Sequence, residues 1–135
     1  MHCLIAEDEQ VTQALLHAAL EPHGQCDLAS TGSEAVAMFQ TALDNGMHYD
    51  LICMDIKMSG IDGLEALRYI RAIEKAKMVQ RVDYVKIFII SSFSNLDSIK
   101  TAFYEIECDE YIQKPINYHR LNRYLTFHNL VNSFL

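Results

Sequence analysis

The feature that most constrains the fold is a set of short apolar runs that recur along the chain. Residues 87–90 read Ile-Phe-Ile-Ile, and comparable runs occupy 3–6, 26–29, 51–54 and, more briefly, 111–112. Strands that are apolar at nearly every position are typical of a parallel sheet with both faces covered. Segments of helical period separate the runs, so the pattern is βα repeated five times. Right-handed crossovers then predict a doubly wound α/β fold with five parallel strands, order 2-1-3-4-5, and five helices.

The helices are predicted from apolar spacing and capping residues. The first follows Glu9, and the residues expected on its core face are Val11, Leu15 and Ala18 or Ala19. Ser33 is the expected cap of the second helix, and the third begins after Gly63. The fourth is capped by Asn95 and carries Leu96, Ile99, Phe103 and Ile106 at helical spacing. The fifth runs from near Asn117 toward Leu135.

Length and charge narrow the class of protein. The 135 residues fit a single domain spanning 1–135, long enough to bury a core without disulfides or metals. With 11 basic and 18 acidic residues the net charge is -7, which opposes direct binding to nucleic acid. No apolar run approaches the roughly 18 residues that span a bilayer, so no membrane insertion is expected. The N-terminus lacks a secretory signal pattern, and a cytoplasmic location is expected.

The cysteines and histidines form no metal-binding pattern. No Cys-x-x-Cys pair occurs, and none of the six histidines has a partner at a metal-ligand offset. The four cysteines are interpreted as small hydrophobic residues in or near strands. They are Cys3, Cys26, Cys53 and Cys108.

Three polar islands follow the apolar runs. Glu7, Asp8 and Glu9 follow the first run, Asp55 ends the third, and Lys114 precedes Pro115 after the last. The carboxyl ends of parallel strands meet at one edge of a sheet, where ligands bind. Two carboxylates about 4 Å apart repel by roughly 1 to 4 kcal/mol, depending on the effective dielectric. The pocket must therefore raise a pKa or bind a cation, and its hard oxygen ligands suit Mg²⁺.

Further groups leave strands at the same edge. The Lys114 ammonium is placed to neutralise Asp55 or to contact a phosphoryl oxygen, and Pro115 permits a cis peptide there. Either Ser91 or Ser92 offers a hydroxyl to an anion bound at Asp55. A carboxylate nucleophile, an acid pair for a metal and cationic and hydroxyl contacts suffice for phosphoryl transfer. Glu9 is interpreted as a residue of the helix start.

These islands, together with residues 50–65, resemble the receiver domain of two-component response regulators. Residues 50–65 read Asp-Leu-Ile-Cys-Met-Asp-Ile-Lys-Met-Ser-Gly-Ile-Asp-Gly-Leu-Glu, similar to the family's segment around its phosphoacceptor aspartate. The likeness to a stand-alone, chemotaxis-regulator-like receiver extends over nearly the whole chain and implies a flavodoxin-like fold. It also implies a signalling module that catalyses its own phosphorylation and dephosphorylation, not a conventional enzyme.

The resemblance assigns a role to each site residue. Asp55 would accept the phosphoryl group of a histidine kinase or a histidine phosphotransfer protein. Mg²⁺ would be held by Asp8, Asp55 and the Lys57 backbone carbonyl, with Glu7 acting through metal-bound water. Lys114 would contact the phosphoryl group, and Ser91 and Tyr111 would form the conformational switch. A downstream protein would bind the face formed by the fourth helix, the fifth strand and the fifth helix.

The chain departs from the family pattern in places. Ser59 stands where a proline is frequent, and residues 104–108 contain one residue more than usual. Because of that extra residue, counting back from Lys114 selects Ser92 as the switch hydroxyl, whereas aligning the strand end selects Ser91, which is preferred.

Two other functions remain open. One is a metal-dependent phosphatase that forms an aspartyl phosphate, although such enzymes commonly place a second acid where this chain has Lys57. The other is a docking module that is never phosphorylated. A flavodoxin-like cofactor binder ranks low, because the acid run after the first strand would repel phosphate.

Overall fold

A computed structural model describes residues 1–92 and 95–131. The strands are β1 (His2–Ala6), β2 (Gln25–Ala29), β3 (Leu51–Asp55), β4 (Lys86–Ser91) and β5 (Glu110–Gln113). They pair in parallel in the order β2-β1-β3-β4-β5, as the sequence predicts. Each strand begins and ends within one residue of its apolar run, and the three central strands are buried along nearly their whole length, as expected for a parallel sheet.

The connections between the strands are helical. The five α-helices of the described residues are α1 (Gln10–Leu20), α2 (Gly32–Asp44), α3 (Gly63–Ala76), α4 (Leu96–Lys100) and α5 (Tyr118–Phe127). A core layer containing Phe39, Leu67 and Ile70 covers one face of the sheet, and a layer containing Leu16, Leu20 and Leu121 covers the other. Both sheet faces are therefore covered. No helix of the described ranges is long and apolar enough to cross a membrane.

The predicted core face of α1 is confirmed at Ala19, which packs against the core, but is wrong at Val11 and Leu15. Leu16 and Leu20 are buried, whereas Val11 and Leu15 are 68% and 49% exposed. The helix has apolar residues on more than one side, so their spacing fits two registers. In the structure α1 is oriented so that Leu16 and Leu20, which lie one turn apart, are buried against the sheet.

Two helix boundaries also differ from the prediction. Thr31 caps α2 instead of Ser33, because its side-chain oxygen accepts a hydrogen bond from the Glu34 amide at 3.1 Å. Asn117 caps α5 as expected, but the helix ends at Phe127 and does not continue toward Leu135. Residues 132–135 lie outside the described ranges.

The fourth helix changes its winding part-way along. Asn95 caps α4 as predicted, but after Lys100 the chain enters a π-helical turn, Thr101–Glu105. The Ile106 amide donates to the Thr101 carbonyl, five residues back. A π-helical turn contains one residue more than an α-helical turn. The turn overlaps residues 104–108, where the resemblance predicts one residue more than usual. The turn buries Ile106 and leaves Phe103 partly exposed.

Candidate functional site

The predicted acidic residues meet at the carboxyl edge of the sheet. Ala6 at the end of β1 is in register with Met54 of β3, so the residues that follow each, Glu7 and Asp55, are neighbours. One carboxylate oxygen each from Glu7, Asp8 and Asp55 lies within 4.8 Å of the others. Glu7 and Asp55 are buried, whereas Asp8 is exposed. The cluster thus has two inner carboxylates and one at its mouth.

Lys114 supplies the positive charge of the cluster. Its Nζ lies 2.8 Å from Glu7 Oε1 and 3.3 Å from Asp55 Oδ2. The Lys114–Pro115 peptide is cis, in agreement with the sequence expectation. Burial alone would lower the pKa of Lys114, but contact with Glu7 and the charge of Asp55 raise it overall. The ammonium is therefore held in its charged form between two carboxylates.

Glu7 bears most of the electrostatic cost of this arrangement. Burial, followed by its close approach to Asp55, raises the pKa of Glu7 to about 7, against the opposing effect of Lys114. Its Oε1 atom makes no hydrogen bond of satisfactory geometry among the described residues, although the ammonium is close. Its Oε2 atom accepts from the Glu9 amide at 3.2 Å. An added cation at the cluster would relieve the excess negative charge.

The loop after β3 is built around close contact with Asp55. A side chain on Gly63 would place its Cβ 2.1 Å from the Asp55 carbonyl oxygen, so no larger residue fits there. The Gly63 amide donates to the Ile56 carbonyl at 2.8 Å, and Asp62 caps α3 by accepting from the Glu65 amide at 2.8 Å. These contacts explain the glycine and acidic residues downstream of Asp55 and fix the backbone that carries it.

Lys57 and the two serines lie around Asp55. The Lys57 amide donates to Asp55 Oδ1 at 3.3 Å. Ser91 is the last residue of β4 and is buried, whereas Ser92 is exposed. Ser91 also hydrogen-bonds Tyr111 of β5, a contact that partly offsets the rise that burial causes in the pKa of Tyr111. The structure therefore joins the two residues predicted to form the switch.

Two residues at the site were missed by sequence reasoning. The Gln13 side-chain amide donates to the Glu7 carbonyl at 3.0 Å from the first turn of α1. Tyr118, at the start of α5, has its pKa raised by burial and then by the charge of Glu7. Both residues belong to helices and do not follow a strand. The rule that residues following parallel strands meet at one sheet edge therefore does not identify them.

The donor set fits a hard divalent cation. Mg²⁺ prefers oxygen ligands and commonly binds through one or two carboxylates while keeping several waters. Three carboxylates opposed by one ammonium leave the cluster with a surplus of negative charge. The residues present are consequently suitable ligands for such an ion.

Comparisons with known proteins agree with this geometry. The sequence model of the response regulator receiver domain matches residues 3–126. The two-component response regulator ORR41 of Oryza sativa subsp. japonica is 28% identical over 118 residues, which are 87% of this chain and 86% of that protein. Hybrid signal transduction histidine kinase I of Dictyostelium discoideum is 31% identical over 115 residues, 84% of this chain. This chain spans only 6% of that kinase's length and 20% of the length of the yeast osmolarity protein SSK1.

A solved structure shares the fold. The response regulator TrrA of Thermotoga maritima, in complex with Mg(2+)-BeF, superposes with a TM-score of 0.72 at 29% identity. The superposition covers 94% of this chain and 97% of TrrA. The chain belongs to the response regulator receiver domain family. The receiver domain is a signalling module of two-component systems, and the acidic cluster of this chain matches the family's phosphoacceptor site.

Proposed function

We propose that Asp55 is the phosphoacceptor of this receiver. An Asp55 carboxylate oxygen attacks the phosphorus of a phosphohistidine, the phosphorus–nitrogen bond breaks, and the imidazole leaves with the bonding electrons. The observation that supports this most strongly is a buried Asp55 carboxylate with the Lys114 ammonium 3.3 Å away. That ammonium is placed to neutralise charge on the transferred oxygens.

The ion of the site is Mg²⁺ under this proposal. Asp8, Asp55 and the Lys57 backbone carbonyl would hold it, and Glu7 would contact it through bound water. Bound there, Mg²⁺ would neutralise charge on the phosphoryl oxygens. The chain's own contribution is to keep Glu7 and Asp55 buried and Lys114 charged at fixed distances.

The switch consists of Ser91 and Tyr111. The phosphoryl group on Asp55 competes with Tyr111 for the Ser91 hydroxyl, because both are hydrogen-bonding partners of that one group. Their hydrogen bond supports the choice of Ser91, and the exposure of Ser92 is consistent with it. Phosphorylation then shifts the population between two arrangements of β5 and the neighbouring α4.

The phosphorylation test uses a small phosphodonor. Acetyl phosphate with Mg²⁺ should add one acid-stable, base-labile phosphoryl group, seen by mass spectrometry, and the gain should vanish in EDTA. Asp55→Asn should abolish it, whereas Asp97→Asn, a change to an exposed carboxylate of α4, should leave it intact. A gain that persists in Asp55→Asn would contradict the assignment of the acceptor. The absence of any Mg²⁺-dependent gain would favour the unphosphorylated docking module.

Receiver domains pair with histidine kinases, and we further propose where the donor protein binds. Val11 and Leu15 are exposed on α1, beside a groove of about 540 Å³ that reaches Lys114. Leu15 and Tyr118 lie on the walls of this groove. A phosphohistidine domain that covers this apolar strip presents its imidazole to Asp55 through the mouth of the site.

Replacing an apolar residue of this strip with a charged one tests the docking surface. Leu15→Lys should slow phosphoryl transfer from a histidine phosphotransfer protein about tenfold or more, in line with the loss of an apolar contact at an interface. Transfer from acetyl phosphate should not change. Val82→Lys alters a valine outside this strip that is more exposed than Leu15, 84% against 49%, and serves as the control. Equal slowing with both donors would place the effect at Asp55 and not in docking.

The output surface is proposed on the other side of the switch. Leu96 is exposed on α4, Tyr104 is exposed on the π-helical turn that follows it, and Phe127 is exposed at the end of α5. A downstream protein that binds this face of α4, β5 and α5 senses the position of Tyr111. Amide spectra recorded with and without a beryllofluoride adduct should change at Tyr111 and along α4, and unchanged spectra there would refute the switch.

A further inference from the structure

Three of the four cysteines lie side by side on one face of the sheet. Cys26 of β2 is the direct register partner of Cys3 of β1, and Cys53 of β3 is opposite Ile5. All three pack in the same core layer, against α1 and α5. Cys3 is the central residue of the three, and its thiol interacts electrostatically with both Cys26 and Cys53. These three cysteines, predicted from the sequence to be small hydrophobic residues, therefore form a contiguous row of thiols.

Sheet geometry allows only one pair in this row to form a disulfide. Neighbouring strands lie about 4.8 Å apart, and bridged cysteines have Cα atoms roughly 4.4–6.8 Å apart. Cys3 and Cys26 are in register and on the same face, so they satisfy this condition. Cys53 lies one strand across from Cys3 and two residues further along, which separates the Cα atoms by about 8 Å. Cys3 and Cys53 cannot be bridged without movement of the backbone.

The two members of the pair differ in access and acidity. Cys3 is fully buried, whereas Cys26 is partly exposed on β2, the edge strand. The neighbouring thiol is the largest cause of a lowered pKa for Cys26 and is the largest cause of a raised pKa for Cys3. The thiolate is the reactive form of cysteine, and it therefore develops at the accessible sulfur. The buried neighbour is placed to react second.

We propose that Cys26 and Cys3 form a peroxide-sensitive thiol pair, in which Cys26 is oxidised first and Cys3 closes a disulfide between β2 and β1. The Cys26 thiolate attacks one peroxide oxygen and the oxygen–oxygen bond breaks, so that Cys26 sulfenic acid forms and the leaving hydroxide takes up the proton lost by the Cys26 thiol to give one water. The Cys3 sulfur then attacks the sulfenic sulfur, its proton leaves with the hydroxyl group as a second water, and the sulfur–sulfur bond forms. Two thiols and one hydrogen peroxide thus yield one disulfide and two waters. The proposal does not depend on phosphorylation of Asp55.

The test is peptide mapping of the whole chain after oxidation. The reduced protein is treated with hydrogen peroxide, its remaining thiols are alkylated, and it is digested without reductant. A linked peptide pair that contains Cys3 and Cys26 and disappears with dithiothreitol is expected. Cys108 should remain reduced, because burial raises its pKa to about 12. A Cys3–Cys53 link as the main product, or no link at all, would overturn the proposal.

Variants separate the two steps. Cys3→Ala should accumulate sulfenic acid at Cys26, trapped by dimedone, because the second thiol is missing. Cys26→Ser should abolish both the sulfenic acid and the disulfide. Cys53→Ala is the matched control, since it removes the other thiol beside Cys3 and should leave the Cys3–Cys26 link unchanged. If dimedone labelled Cys3 in Cys26→Ser as fast as it labels Cys26 in Cys3→Ala, the proposed order of reaction would be contradicted. Phosphorylation by acetyl phosphate is measured on each variant to separate this result from the receiver function.

Discussion

The fold buries carboxylates at two places, and they are satisfied very differently. Glu74, near the end of α3, pairs with Arg71 at 2.7 Å and accepts from the Val85 amide at 2.7 Å. At the carboxyl edge of the sheet, Lys114 is the cation among the described residues that pairs with both Glu7 and Asp55. Each oxygen of Glu74 has a hydrogen-bond donor, which offsets in part the rise that burial causes in its pKa, whereas the second group carries surplus negative charge. The contrast distinguishes a buried acid that holds the fold together from buried acids arranged to receive a cation and a phosphoryl group.

Arg71 links the buried Glu74 to two other segments of the chain through hydrogen bonds to backbone carbonyls. Its Nε donates to the Ile106 carbonyl at 2.8 Å, and its Nη2 donates to the Glu107 carbonyl at 3.1 Å. Its Nη1 also donates to the Val85 carbonyl at 3.2 Å. Through these bonds α3 holds the end of the π-helical turn and the start of β4. The Glu74–Arg71 pair is therefore part of the scaffold that fixes the segment leading into β5.

Breaking the satisfied pair should have the largest effect on stability. Arg71→Met leaves Glu74 buried without its cation, and removing one partner of a buried ion pair typically costs about 3–5 kcal/mol. The free energy of unfolding, measured by urea denaturation, should fall by about that amount. The folded fraction should still take up phosphoryl on Asp55.

Arg68→Met is the matched control for this experiment. Arg68 lies on the same helix one turn earlier and pairs with Glu105 at the surface. Solvent screening makes such exposed pairs weak, so the variant should unfold near the wild-type urea midpoint. Equal destabilisation by both variants would show that the buried pair has no special structural importance.

Mg²⁺ should stabilise the folded state through the acidic cluster at the sheet edge and not through the Glu74–Arg71 pair. An ion that binds the folded state stabilises it by about 2.7 kcal/mol at a concentration one hundred times its dissociation constant. Thermal unfolding with Mg²⁺ and with EDTA should show an increment of this kind for the wild type. Asp8→Asn should lose most of it, and Arg71→Met should keep it despite lower overall stability. An increment that survives in Asp8→Asn would contradict the proposed ligand set.

The pH dependence of the metal-free protein reports the same surplus charge. The pKa of Glu7 is raised from 4.5 to about 7 in the folded state, so the folded chain binds more protons than the unfolded chain in that interval. The contribution to stability is fully present below about pH 4.5 and is lost as the pH rises toward 7. In EDTA the slope should be on the order of 1 kcal/mol per pH unit, measured by urea denaturation. Glu7→Gln should flatten it, and an unchanged slope would exclude Glu7 as its source.

The sequence predicts the acidic cluster at the sheet edge better than it predicts the buried Glu74–Arg71 pair. The functional residues follow apolar runs, and parallel strands bring their carboxyl ends to one edge, so Glu7, Asp55 and Lys114 could be grouped without coordinates. Glu74 falls in a polar stretch that offers no such rule. Its burial depends on the Val85 amide eleven residues later, a contact that only the packed helix creates.

The first helix shows a second limit of prediction. Apolar residues occupy more than one side of α1, so spacing alone could not choose between Leu16 with Leu20 and Val11 with Leu15. The sheet buries the first pair, and the exposed second pair lies beside the phosphoacceptor groove. The prediction therefore fails at residues that the proposed function uses as a docking surface, where exposed apolar residues have a reason to remain.

The smallest expected effect is the stabilising one. At pH 8 in EDTA, Asp8→Asn removes one of three carboxylates that face a single ammonium, while Asp8 itself is exposed and well solvated. Relief of repulsion at about 4 Å across water-exposed space is worth about 1 kcal/mol. The free energy of unfolding should rise by up to that amount, whereas Asp97→Asn, which removes an exposed acid from the first turn of α4, should not raise it. Because Glu74 is already satisfied by Arg71, Glu74→Gln should instead lower it under the same conditions. A loss of stability in Asp8→Asn would mean that its carboxylate makes a structural contact, and that the two buried acidic sites differ less than their charge balance indicates.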